Sequence, residues 1–88
     1  MSKNVILILT DQQHYDTLGC NGTAVAKTPN IDRLARQGIR FDSHIVANTV
    51  CMPSRASIFT GTHINEHGVW TNGCRLPREA TTITTQFN

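Results

Sequence analysis

The chain begins with an unbroken apolar run, Asn4-Val5-Ile6-Leu7-Ile8-Leu9-Thr10, which stops at the polar trio Asp11-Gln12-Gln13. Aliphatic and β-branched residues without polar alternation predict a strand buried on both faces, as in a parallel sheet. Asp11 then falls at the carboxyl end of that strand, where ligands of open α/β sheets collect. Residues 12–27 contain Gly19, Asn21 and Gly22 and no periodicity, and read as a loop. From Thr28 the period becomes helical. Thr28 is placed to cap, Pro29 suits the first turn, and Asp32 complements the positive helix end. Ile31, Leu34 and Ala35 form an apolar stripe, and Gly38 is placed to stop the helix in the left-handed conformation.

Residues 39–46, with Ile39, Phe41 and Ile45 apolar, read as a second strand. A loop through Asn48 leads to a further helix over roughly residues 53–60, ended by Gly61. Residues 62–78 are polar, with turn signals at Asn72-Gly73 and Pro77. A last helix starts after Ala80, capped by Thr81 or Thr82, with Ile83 and Phe87 four apart. The order strand, helix, strand, helix predicts an α/β fold and needs further strands to bury its faces.

Composition narrows the partners. Eighty-eight residues suffice for one small domain, and 39% hydrophobic with 16% charged residues reads as globular. A net charge of +2 without a Lys/Arg run argues for no nucleic acid and no membrane surface. Cys20, Cys51 and Cys74 are odd in number and widely spaced, a poor disulfide framework. The apolar start is shorter than a signal sequence or a membrane span of about 20 residues. As written, the chain is expected to be cytoplasmic.

The chemistry concentrates in Cys51-Met52-Pro53-Ser54-Arg55-Ala56-Ser57-Ile58-Phe59-Thr60-Gly61. Pro53 suits a first helical turn, because its missing N–H would lack a partner there. Arg55 lies four positions after Cys51, so a helix brings both to one face. Free N–H groups at that helix end favour an anion. A thiol, a fixed positive charge and an anion seat point to sulfate or phosphate esters.

This run resembles the signature of the type I sulfatases, within the alkaline phosphatase superfamily, and the resemblance covers nearly the whole chain. It implies the amino-terminal part of an alkaline-phosphatase-like fold, a mostly parallel central sheet flanked by helices. Residues 1–88 are thus expected to be an incomplete catalytic domain, lacking the later ligands, a Lys and His pair and a second sulfate-binding lysine. The resemblance implies that a formylglycine-generating enzyme oxidises Cys51 to formylglycine. The hydrated aldehyde attacks the sulfur of a sulfate ester, an alcohol leaves, and the second hydroxyl expels sulfate. Arg55 is expected to stabilise that group. Asp11, Gln12 and the modified Cys51 are expected at a divalent cation, Ca²⁺ or Mg²⁺, and Ser54 and Thr60 are expected to support the signature turn. Many arylsulfatases carry aspartate where this chain has Gln12. Asp-Gln is familiar from some bacterial sulfatases and from phosphonate monoester hydrolases, so a phosphonate or phosphate ester hydrolase is the alternative. An inactive piece that self-associates through exposed sheet edges is a third expectation.

Other residues have plainer readings. Cys51, His63, His67 and Cys74 mimic a zinc set through His-x-x-x-His, but no Cys-x-x-Cys accompanies it. His67-Gly68-Val69 reads as pocket wall or loop packing, and Cys20 as structural. His14 and His44 have no partner pattern. Trp70 reads as a partly buried aromatic.

Overall fold

A computed structural model describes residues 3–87 of the chain. The chain divides into two compact units, Met1–Asp42 and Ser43–Asn88. Four α-helices are present among the described residues: α1 Pro29–Gln37, α2 Cys51–Thr60, α3 Ile64–His67 and α4 Ile83–Gln86. Two 3-10 turns, Tyr15–Thr17 and Gly19–Asn21, precede α1. None of these helices is long and apolar enough to cross a membrane.

In the first unit, α1 begins at the predicted place with Pro29 at its first position. Thr28, however, does not cap through its side chain. Its hydroxyl donates to Asp32 Oδ1 at 2.8 Å and accepts the Gly19 N–H at 2.8 Å. Asp32 Oδ1 also accepts the Cys20 N–H at 2.7 Å. One carboxylate thus joins the helix start to the Gly19–Asn21 turn, satisfying backbone donors that a loop would otherwise leave to water. Gly19 is needed there, since a Cβ would sit 2.6 Å from Asp32 Oδ2. Residues 12–27 are therefore an ordered loop built around two turns.

Gly38 departs from expectation. It makes the last helical bond, N–H to the Leu34 carbonyl at 2.9 Å, and continues at φ −115°, ψ −151°. Extension there replaces the left-handed stop. The chain then places Arg40, whose guanidinium donates to the Cys20 carbonyl and pairs with Asp42, Nε to Oδ1 at 2.8 Å. The Asp42 hydrogen bond and charge hold the Arg40 guanidinium above its ordinary pKa.

Neither predicted strand forms: residues 4–10 and 39–46 contain no strand. Backbone ladders need a partner strand, and the apolar run has no such cover here. Ile6 is 84% and Ile8 78% exposed. A sheet is a non-local object, and an apolar run without neighbours stays irregular.

In the second unit, α2 starts two residues earlier than predicted, at Cys51, and stops at Gly61 as expected; Gly61 takes the left-handed region (φ 70°). Its buried face is Pro53, Ala56 and Ser57, the i, i+3, i+4 pattern of an inward stripe. α3 and α4 pack against α2. α3 falls in the stretch read as irregular, since four residues carry too little periodicity to register. α4 has the expected Thr82 cap, with a reciprocal box between Thr82 and Thr85. Asn88, assigned to that helix from the sequence, lies outside the described residues. The core is thin: among the described residues Pro53, Ala56 and Val69 are buried, joined by buried Ser57 and His67.

Replacing Asp32 by Ala removes the acceptor of the Cys20 N–H and of the Thr28 hydroxyl. The expected loss is about 1–3 kcal/mol of local stability. Hydrogen exchange at the Cys20 amide should accelerate accordingly, with little change within α2.

Candidate active site

Cys51 occupies the first position of α2, after the extended residue Val50 (φ −93°, ψ 137°). The side chain is exposed and the thiol is free of any disulfide. The head of α2 is held from both sides in sequence. Asn48 Oδ1 accepts the Val50 N–H at 2.7 Å. Asn72 Oδ1 accepts the Met52 N–H at 3.2 Å and lies 3.2 Å from Cys51 Sγ, which donates to it. The Gly73 N–H meets Met52 Sδ at 3.2 Å. Asn72 therefore serves as a helix cap supplied from 20 residues downstream, and it also touches the thiol.

Arg55 lies one turn along α2, half-buried, on the same face as Cys51 by the i, i+4 rule. Thr60 closes the other end, its hydroxyl donating to the Ala56 carbonyl at 2.7 Å and meeting the Thr62 hydroxyl at 2.9 Å. The signature is thus one helix, with Cys51 at its head, Arg55 one turn on and the backbone-bonded Thr60 hydroxyl at its tail.

Asp11 and Gln12 belong to the first unit and are exposed. Gln12 has φ 54°, the one described non-glycine residue with positive φ. Such a backbone is costly for glutamine and clusters at functional turns. A carboxylate beside an amide oxygen is donor chemistry suited to a hard cation such as Ca²⁺ or Mg²⁺. Among the described residues, no three His, Cys, Asp or Glu side chains gather to enclose an ion.

Asn72 is the residue that sequence reasoning missed. Asn-Gly announces a turn, and a turn is present, with the Cys74 N–H bonded to the Thr71 carbonyl at 3.3 Å. Nothing local reports that the asparagine side chain reaches back to residue 51.

The signature run thus forms one helix that begins on an exposed cysteine, carries arginine one turn later and is capped by a distant amide. The sequence model described as Sulfatase matches residues 3–88, and the chain belongs to the sulfatase family. It is 38% identical over 84 residues, 96% of its length, to the uncharacterized sulfatase YidJ of Escherichia coli K12. It is 43% identical over 77% of its length to an arylsulfatase of Clostridium perfringens, and 42% over 75% to human arylsulfatase D. It spans 17%, 14% and 11% of those relatives' own lengths. Membership of the family implies an alkaline-phosphatase-like fold. No solved structure matches the chain.

Truncating Asn72 to Ala leaves the Met52 N–H without that acceptor. A lost cap costs about 0.5–2 kcal/mol. Amide exchange at Met52 should speed up in proportion, while exchange near Thr60 stays at the wild-type rate.

Proposed function

We propose that this chain carries the nucleophile helix of a sulfuric ester hydrolase, which converts sulfate esters to an alcohol and sulfate. The observation that carries the reading is Cys51 standing exposed at the head of α2, one turn before Arg55, in a chain that matches the sulfatase family over residues 3–88. In this reading a formylglycine-generating enzyme converts Cys51 to formylglycine. The Arg55 guanidinium stays charged at any working pH and offers a planar fork of donors, which suits two oxygens of a tetrahedral sulfate. The amino end of α2 complements the same negative charge. Asn72 holds the side chain at position 51 in place through its 3.2 Å contact.

Asp11 and Gln12 would be ligands of the divalent cation, a carboxylate and an amide oxygen suited to a hard ion. When bound, that ion supplies charge neutralisation and a lowered hydroxyl pKa. The left-handed backbone at Gln12 supports this assignment, because strain of that kind persists where function requires it. The finer fold also belongs to this reading: residues 5–9 form a strand of a mostly parallel central sheet flanked by helices. Their exposure here supports it, since five consecutive apolar side chains in water call for cover on both faces.

Gln12 favours a second reading. An amide in place of a carboxylate lowers the charge around the cation, and phosphonate or phosphate esters would then be substrates of the same site. Paired kcat/KM values on an aryl sulfate and an aryl phosphonate decide between them. The larger value is expected on sulfate; a strong preference for phosphonate would reverse the assignment.

The primary reading is checked by mass spectrometry of the peptide containing residue 51, after co-expression with a formylglycine-generating enzyme. The expected product is the aldehyde; a thiol that stays unmodified would sink the mechanism. Cys51→Ala should abolish turnover, and Arg55→Ala should lower kcat/KM by about 100-fold or more. A chelator should remove activity, and Ca²⁺ or Mg²⁺ should restore it.

A further inference from the structure

The signature helix is gripped at a second point, through a buried histidine to which the reading above gives no role. His67, at the end of α3, is 5% exposed. Both ring nitrogens are engaged. Nδ1 accepts the Val69 N–H at 3.1 Å, so the neutral ring carries its proton on Nε2. Nε2 then donates to Ser57 Oγ at 2.9 Å. Ser57 is itself buried, on the inward face of α2 with Pro53 and Ala56.

Six residues separate Ser57 from Cys51, about 9 Å along the helix axis. The segment from His67 to Asn72 covers the same distance in the opposite direction. At one end His67 is bonded to Ser57, and at the other Asn72 is bonded to Met52 and Cys51. Five residues can reach at most roughly 17 Å, so the segment has slack that its two side-chain anchors help to remove, together with the Gly73 N–H on Met52 Sδ. Val69, 2% exposed, is buried between those anchors.

We propose that His67 is a positioning residue for the reaction: through Ser57 it fixes the 67–73 segment in register along α2, so that Asn72 meets the side chain at position 51. This inference rests on the sulfatase reading of the same site. With both nitrogens committed and the ring buried, His67 has no free atom for substrate or metal. Its effect passes through Ser57 and Asn72. The Gly68 turn (φ 70°) lets Val69 return its N–H to the ring, which sets the tautomer that Ser57 needs.

The test compares His67→Ala, His67→Gln and Ser57→Ala in the enzyme, with turnover divided by the aldehyde content of residue 51 and measured well below each variant's Tm. His67→Gln keeps an N–H donor near the place of Nε2. The expected result for His67→Ala and Ser57→Ala is a kcat loss of roughly 10–100-fold with KM little changed. The glutamine variant should recover much of it, and the Ala double variant should be little worse than either single one. Variants that lose Tm yet keep kcat per aldehyde within about twofold would reduce His67 to a stabilising role and overturn the proposal. If His67→Ala does not fold, Ser57→Ala and His67→Gln carry the same comparison. Two readouts need no turnover. Ring ¹⁵N shifts should give the Nε2–H tautomer, and Met52 amide exchange should rise in Ser57→Ala. An Nδ1–H ring, or unchanged exchange, contradicts the proposal. A full-length wild-type parent with its aldehyde but no sulfate-ester turnover overturns the sulfatase reading instead, and those two readouts still decide the anchoring.

Discussion

The His67 imidazole, between the Ser57 hydroxyl and the Val69 amide, is the contact on which the second unit's geometry depends. A buried ring with one nitrogen left unpaired costs about 1–3 kcal/mol, so neither bond is given up easily. Around it there is little else. Pro53, Ala56 and Val69 are the other buried side chains of the described chain apart from Ser57, and apolar burial alone leaves helices free to slide. Directional bonds remove that freedom. α2 is thereby fixed along its length, and its first residue, Cys51, with it.

Asp32 has a comparable role in the first unit. Its carboxylate takes the Cys20 N–H and the Thr28 hydroxyl, and Arg40 grips the carbonyl of the same cysteine. A loop of glycines and polar residues becomes a defined shape because its backbone groups are satisfied from α1 and from the segment after it. Both units thus use single polar side chains where a larger domain would use a packed core. The apolar residues 5–9 have no such arrangement and remain exposed.

The chemistry divides along the same line. The second unit presents an exposed thiol and a guanidinium one turn apart on a capped helix, which is a rigid support for them. The first unit presents oxygen donors at a strained backbone turn, after the apolar run. The chain covers 17% of the length of a relative it matches over nearly all of its own, and it concentrates the signature chemistry within eleven residues.

Local chemistry was legible in the sequence. Proline at the first position of α1, the Thr82 cap of α4 and the stop of α2 at Gly61 are each decided within a few residues, and each formed. The spacing of Cys51 and Arg55 puts both on one face of a helix, but only the structure extended α2 back to Cys51; the family was legible from the motif around them. Gly38 obeyed the helix but not the left-handed stop, in a chain that goes on to bond Arg40 to Cys20. The two predicted strands did not form, because a strand exists only against a neighbour, and residue pattern does not supply one. Ser57 with His67, ten residues apart, and Cys51 with Asn72, 21 apart, were decided by the tertiary structure. Sequence spacing encodes contacts that a helix or turn closes by itself; contacts across longer separations depend on how the intervening chain packs, and only the folded chain determines that.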